Sequence, residues 1–178
     1  GEELVLVVPY TVTDEHGASS SADLTITVTG TNDTPVAVAD EASVDEDGNT
    51  SGNVGTNDTD ADAGASLSYA LNDAGSAPTG LTFNPDGNWT FDASSYDSLD
   101  EGEELVLVVP YTVTDEHGAS SSADLTITVT GTNDTPLANA DEANVDEDGN
   151  TSGNVGTNDT DADAGASLSY ALNDAGSA

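Results

Sequence analysis

Alternation of apolar and polar residues governs most of this chain. Leu125-Thr126-Ile127-Thr128-Val129-Thr130 sets three aliphatic residues on one face and three threonines on the other, the period-two pattern of a half-buried strand. Upstream, Leu105 to Thr114 is a long apolar run interrupted by Pro110; proline lacks an amide donor, so a bulge or an edge position is expected there. Leu81-Thr82-Phe83 and Trp89-Thr90-Phe91 flank Asn84-Pro85-Asp86-Gly87-Asn88, a hairpin whose Pro-Asp-Gly turn supplies the positive φ such a turn needs. Leu67, Tyr69 and Leu71 alternate as well, and short strands are expected near Val44 and Val54. No helical period of any length survives inspection, and about seven strands in roughly a hundred residues predict an all-β, Ig-like antiparallel sandwich. Trp89, Phe83, Phe91, Tyr96 and Tyr111 are the large side chains for its core.

The pattern also repeats. Gly1 to Ala77 recurs as Gly102 to Ala178, an offset of 101 residues, and among the 77 aligned pairs only Val36/Leu137, Val38/Asn139 and Ser43/Asn144 differ. A period this long suits one autonomous domain per repeat, where solenoid units span about 20–50 residues. The linker-like segment Gly30 to Pro35 returns as Gly131 to Pro136. The expected division is therefore a C-terminal part of a preceding repeat (1–35), a complete repeat (36–136) and an N-terminal part of a following repeat (137–178). Residues 1–35 contribute about two strands and 137–178 about three, too few for either to bury a core alone, so the two fragments are expected either to complement one another head to tail between neighbouring chains or to be the ends of a window on a longer periodic array. Nothing at the start resembles a signal peptide, and the chain reads as an internal piece of a longer protein.

Charge changes the picture most. The chain has 35 Asp and Glu residues, no Lys or Arg, and a formal charge of -35 at pH 7. Nucleic-acid partners are excluded, because neutralising phosphate requires Lys or Arg. No apolar run approaches the roughly 20 residues needed to span a bilayer, so no membrane insertion is expected in this segment. Without cysteine there is neither a disulfide framework nor a thiol nucleophile. His16 and His117 are one position in two copies, within an Asp-Glu-His-Gly turn, and no acid, base and nucleophile are singled out; an enzyme is not expected.

The acidic residues gather at Asp45-Glu46-Asp47, Asp58-Thr59-Asp60-Ala61-Asp62, Asp100 to Glu104, Asp115-Glu116 and Asp134. Most of these are turns, where carboxylates at alternate positions converge their oxygens, and hard cations such as Ca²⁺ take six to eight oxygen ligands. Clusters at both ends of a rod-like domain would repel across each junction unless a cation bridged them, so Ca²⁺ is expected there. The stretch Asp58 to Gly64 is no EF-hand, because the sixth and twelfth positions hold Ala63 and Tyr69.

Tyr111 to Gly118 (YTVTDEHG), Asp124 to Pro136 (DLTITVTGTNDTP), Leu81 to Phe91 (LTFNPDGNWTF) and Ser95 to Leu105 (SYDSLDEGEEL) together resemble VCBS repeats, the cadherin-like extender domains of giant bacterial adhesins, often RTX proteins. The resemblance covers the whole 101-residue unit, and more distantly the chain is similar to cadherin repeats. It implies that Glu46 matches the cadherin first-strand Glu, Asp60 and Asp62 the Asp-x-Asp loop, Asp100 the aspartate of the LDRE segment, Asp115 a turn aspartate, and Asn133 with Asp134 the centre of the linker. Gly131 and Thr135 stand where the cadherin linker carries Asp and Asn, and Gly102, between Glu101 and Glu103, stands at the LDRE glutamate. Two Ca²⁺ junctions follow as expectations: Asn32 and Asp33 with Asp58, Asp60, Asp62 and Asp115, then Glu46, Asp100, Asn133 and Asp134 with Asp159, Asp161 and Asp163. What the resemblance implies for function is a calcium-stiffened stalk of a bacterial surface adhesin, extracellular, holding a distal binding domain away from the cell for adhesion and biofilm formation, with neighbouring repeats as its partners. The alternative is a sugar- or ice-binding module acting through strand faces such as the Thr126, Thr128 and Thr130 ladder.

Overall fold

The computed structural model describes residues 2–173. Nine strands form in order: β1 (Glu3–Thr13), β2 (Ser19–Thr29), β3 (Asp40–Asp45), β4 (Asn49–Asn53), β5 (Ser68–Leu71), β6 (Leu81–Phe83), β7 (Asn88–Asp92), β8 (Glu104–Thr114) and β9 (Ser120–Thr130). Seven of them make a two-sheet sandwich, β3-β9-β8-β5 against β4-β7-β6, while β1 and β2 form a separate hairpin. The all-β Ig-like or cadherin-like sandwich expected from the alternation is the fold observed.

Why these residues form this core follows from the pattern. Val109, Tyr111 and Val113 of β8, and Leu125, Ile127 and Val129 of β9, are at most 3% exposed. Each is two residues from the next, so all project from one face of the sheet. Trp89 and Phe91 of β7 enter the same cluster from the opposite sheet, joined by Val54, Tyr69 and Ala93. The β6–β7 turn forms as expected, with Gly87 at φ +82° and its amide donating to the Asn84 carbonyl at 3.0 Å. Val54 itself lies just beyond β4 in a 3-10 turn capped by the Asn53 side chain; the turn drops Val54 into the core where a continued strand would carry it past.

Two expectations need correction. The sandwich is not wholly antiparallel, because β3 runs parallel to β9, from Asp40 beside Leu125 to Asp45 beside Thr130. A repeat whose chain comes in at one end and leaves at the other needs its first and last strands to run the same way, and here they lie side by side. Pro110 marks neither a bulge nor an edge strand: β8 is central, with Pro110 opposite Asp124 of β9. On the β5 side the ladder ends at Leu71–Tyr111, closed by the Asn72 amide donating to the Pro110 carbonyl at 3.0 Å. The missing proline N–H therefore falls just where that neighbour runs out.

This topology sorts the acidic residues by end. The β8–β9 turn at Asp115 and the loop carrying Asp58, Asp60 and Asp62 lie at the leading end, where the chain enters the sandwich through an isolated Val36–Thr59 bridge. Glu46, which follows β3, and residues 97–103, which precede β8, lie at the trailing end beside Thr130.

Candidate metal centre at the repeat junctions

At the leading end the linker is tied to the loop and the turn by the carboxylates themselves. The Asp33 amide donates to Asp62 Oδ2 at 2.7 Å, and the Asn32 side-chain amide donates to Asp115 Oδ2 at 2.8 Å. Asp115 Oδ1 accepts the amides of His117 and Ala119 at 2.8 and 2.9 Å. The Asn32 amide first, and then these turn amides, hold the Asp115 carboxyl below the usual carboxylate range. Asp60 Oδ1 accepts the Asp62 amide at 2.8 Å, while Asp60 Oδ2 is sealed from solvent with no partner.

The alternate spacing in Asp58-Thr59-Asp60-Ala61-Asp62 gives its three carboxylates different tasks. Asp58 turns inward: its Oδ1 accepts the Val38 amide at 2.7 Å, close to the buried Tyr111 hydroxyl, which donates to the Val38 carbonyl at 2.9 Å. Burial raises the Asp58 carboxyl above its ordinary value. Asp58 therefore anchors the backbone at Val38, while Asp62 takes the linker amide of Asp33 and Asp60 braces Asp62. The second copy behaves alike, with Asp159 Oδ1 accepting the Asn139 amide at 2.7 Å, Asp161 Oδ1 accepting the Asp163 amide at 3.1 Å, and Asp163 Oδ2 accepting the Asp134 amide at 3.0 Å.

The trailing end brings the densest charge together. Glu46 is wholly buried, and its two oxygens accept the Thr132 amide at 2.7 Å and the Leu99 amide at 3.0 Å. These bonds aim the carboxylate at the linker. Oxygens of Glu46, Asp134 and Asp163 all lie within 4.8 Å of one another, as do those of Asp47, Asp97 and Asp134. Asp134 Oδ2 and Asp163 Oδ1 are sealed from solvent without any hydrogen-bond partner. Burial above all, and then the charges of Asp97, Asp47, Asp163 and Glu46, push the Asp134 carboxyl above its ordinary value.

An open cleft beside this cluster is lined by Asp100, Glu101, Asn133, Asp161 and Asp163. Glu103 is turned back on its own segment, accepting the Asp100 amide at 3.2 Å. Asp47 and Asp97, which were not among the expected ligands, converge on Asp134; the signal for Asp47 was its place beside Glu46, whereas Asp97 carried none. Gly131 explains the lost linker aspartate, because a Cβ at this position would collide with the Asp100 carbonyl.

This donor set suits a hard cation. Two oxygens on opposite sides of a Ca²⁺ ion lie about 5 Å apart, given ligand distances of about 2.3–2.6 Å, so one ion can reach all three members of either trio. Orphaned buried carboxylate oxygens are costly unless paired, and a chain with no Lys or Arg offers no side-chain cation to pair them.

Sandwich and acidic ends together define an Ig-like domain of the cadherin-like class. Residues 32–131, more than half of the chain, match the bacterial cadherin-like domain family, and the chain belongs to that family. Two solved structures share the fold. Extracellular cadherin domains 1–4 of protocadherin gamma B7 align at a TM-score of 0.50 with 13% identity, over 83% of this chain and 46% of that one. The EC3-6 cis-dimer structure of protocadherin gammaB7 aligns at 0.52 with 19% identity, over 79% and 36%. The chain thus spans less than half the length of either structure. No curated protein matches the sequence. Cadherin-like domains are extracellular modules of adhesion type, and cadherin domains generally bind Ca²⁺. Among the described residues no helix is long and apolar enough to cross a membrane.

Proposed function

We propose that this chain is a stretch of tandem repeats, of which 36–136 is one complete unit, from the stalk of a large bacterial surface adhesin of the VCBS or RTX kind. Ca²⁺ bound at each junction sets the angle between neighbouring repeats. The stalk would hold a distal binding domain away from the cell during adhesion or biofilm formation. No bond is made or broken in this role; ligation is its only chemistry.

The observation that carries the reading is the pair Asp134 and Asp163, each with one sealed, unpartnered oxygen, and each bringing a carboxylate oxygen within 4.8 Å of one on the buried Glu46. Each of the two ends supplies a share of every junction. The sandwich contributes Glu46, Asp47, Asp97 and Asp100 at its trailing end, the linker contributes Asn133 and Asp134, and the following repeat contributes Asp161 and Asp163. Without a cation the carboxylates repel and the linker flexes. With one, ligands from two repeats share a charge, and binding energy becomes stability and stiffness.

Excess CaCl₂, compared with EDTA, is expected to raise the melting temperature of the chain and to lengthen the particle in small-angle scattering, with Mg²⁺ far less effective because it demands a tighter octahedral shell. If the melt and the scattering profile are the same in Ca²⁺ and EDTA, the acidic ends are solvation only and the stalk reading fails.

A further inference from the structure

A backbone hydrogen bond joins the sandwich directly to the segment that follows the linker: the Ala164 amide donates to the Ser98 carbonyl at 3.1 Å. It uses no carboxylate and no linker residue. The donor sits in a turn of defined shape. Asp163-Ala164-Gly165-Ala166 closes with the Ala166 amide donating to the Asp163 carbonyl at 3.3 Å, Gly165 stands at φ +79°, and among the described residues only glycines have positive φ. These are the marks of a type II turn with Ala164 at its second position. The amide at that position has no partner inside such a turn and is left to bond outward. Asp62-Ala63-Gly64-Ala65 forms the same turn in the first copy, with Gly64 at φ +80°.

The acceptor is held from behind. Tyr96 and Leu99 pack against the hydrophobic core, and the Tyr96 ring lies against Phe91. The Ser98 amide donates to the Tyr96 carbonyl at 2.7 Å, and the Leu99 amide donates to buried Glu46. With both neighbours anchored to the core, the Ser98 carbonyl has a fixed direction, which a short, well-aligned hydrogen bond requires.

The bond falls between residues of the metal centre. Beside Ser98 is Asp97, which converges on Asp134; beside Ala164 is Asp163, whose Oδ2 accepts the Asp134 amide and whose Oδ1 is sealed without a partner. Asp163 is therefore held twice, by the linker through its side chain and by the sandwich through the next amide.

We infer that the trailing end of the sandwich carries a docking surface for the type II turn of a following repeat, a clasp made at the Ser98 carbonyl, and that Ala164 is a positioning residue fixing where Asp163 presents its carboxylate. The clasp needs no ion. The positioning role rests on the Ca²⁺ reading above. A single backbone bond does not hold two repeats rigid against repelling carboxylates; it favours the one register in which Asp163 meets Asp134 and Glu46, so the ion has less ordering to impose.

Ala164→Pro tests this, because proline is favoured at the second position of a type II turn, so the turn is kept and only the amide donor is lost. Ala63→Pro is the control: it makes the same change in the same turn, and the Ala63 amide has no backbone partner among the described residues. In calorimetric Ca²⁺ titrations of the whole chain, Ala164→Pro is expected to weaken binding about 3–10-fold, the worth of one hydrogen bond, with the number of bound ions unchanged. Ala63→Pro should titrate as the wild type does, and both variants should keep the wild-type melting temperature in EDTA. Amide exchange of the wild-type chain, followed by NMR, should be slower at Ala164 than at Ala63, most of all in CaCl₂. An equal loss of affinity in the two proline variants, or none in Ala164→Pro, overturns the positioning role. Exchange at Ala164 as fast as at Ala63 in both CaCl₂ and EDTA overturns the clasp. A wild-type chain that binds no Ca²⁺ brings down the cation reading and the positioning role together, and the exchange comparison then decides the clasp alone.

Discussion

Glu46→Gln is expected to abolish most of the rise in melting temperature that Ca²⁺ confers, while lowering the melting temperature in EDTA by only a few degrees. In EDTA two effects oppose each other. The new side-chain NH₂ faces one of the two backbone donors, Leu99 or Thr132, which costs about 1–3 kcal/mol for an unmatched buried group. The same change removes a negative charge that lies against Asp134 and Asp163 and relieves some of their repulsion. In Ca²⁺ the balance shifts, because the lost charge was a ligand. A site occupied at a thousand times its dissociation constant contributes about 4 kcal/mol, and weakening it a hundredfold removes about 2.7 kcal/mol of that. For a domain near 100 residues this is roughly 10–20 °C. Calorimetry of the variant in both buffers decides it. A calcium increment equal to that of the wild type would take Glu46 out of the metal centre and leave it a purely structural clasp.

Phe91→Ala acts on the sandwich alone and by a larger amount. Phe91 is 1% exposed, in the central strand of the smaller sheet, and its ring lies 5.8 Å from that of Tyr96 in a tilted pair. Truncating a buried Phe to Ala costs about 3–5 kcal/mol, through lost transfer energy and the cavity left behind. Domains of this size are stable by about 5–15 kcal/mol. The variant should therefore unfold at a markedly lower urea concentration, with the same loss in EDTA as in Ca²⁺. A loss under about 1 kcal/mol would mean that the two sheets do not meet through this ring.

What was legible in the sequence was local. The Leu125, Ile127 and Val129 alternation, the Pro85-Asp86-Gly87 turn and the repeated linker each state their structure within a dozen residues. What was not legible depends on which ends of which strands meet. The parallel β3–β9 pair joins residues 85 apart, as in Asp40 beside Leu125, and short edge-strand alternation looks the same whichever direction its partner runs. Asp97 reaches Asp134 only because the 3-10 turn at 94–96 and the linker converge on the trailing end; in the sequence it is one exposed aspartate among many. Asp58 shows the converse. It stands in the same motif as Asp60 and Asp62, but the spacing does not reveal that its carboxylate is taken up by the Val38 amide.

The parallel pairing of first and last strands has a mechanical consequence. Tension along a string of repeats pulls the Asp40 end of β3 one way and the Thr130 end of β9 the other, so their six-residue ladder is loaded in shear. Hydrogen bonds loaded in this way share the force and must yield together, whereas strands peeled from an end lose their bonds in succession. On the tandem-repeat reading proposed above, each repeat would thus resist extension along the line in which the stalk is stretched.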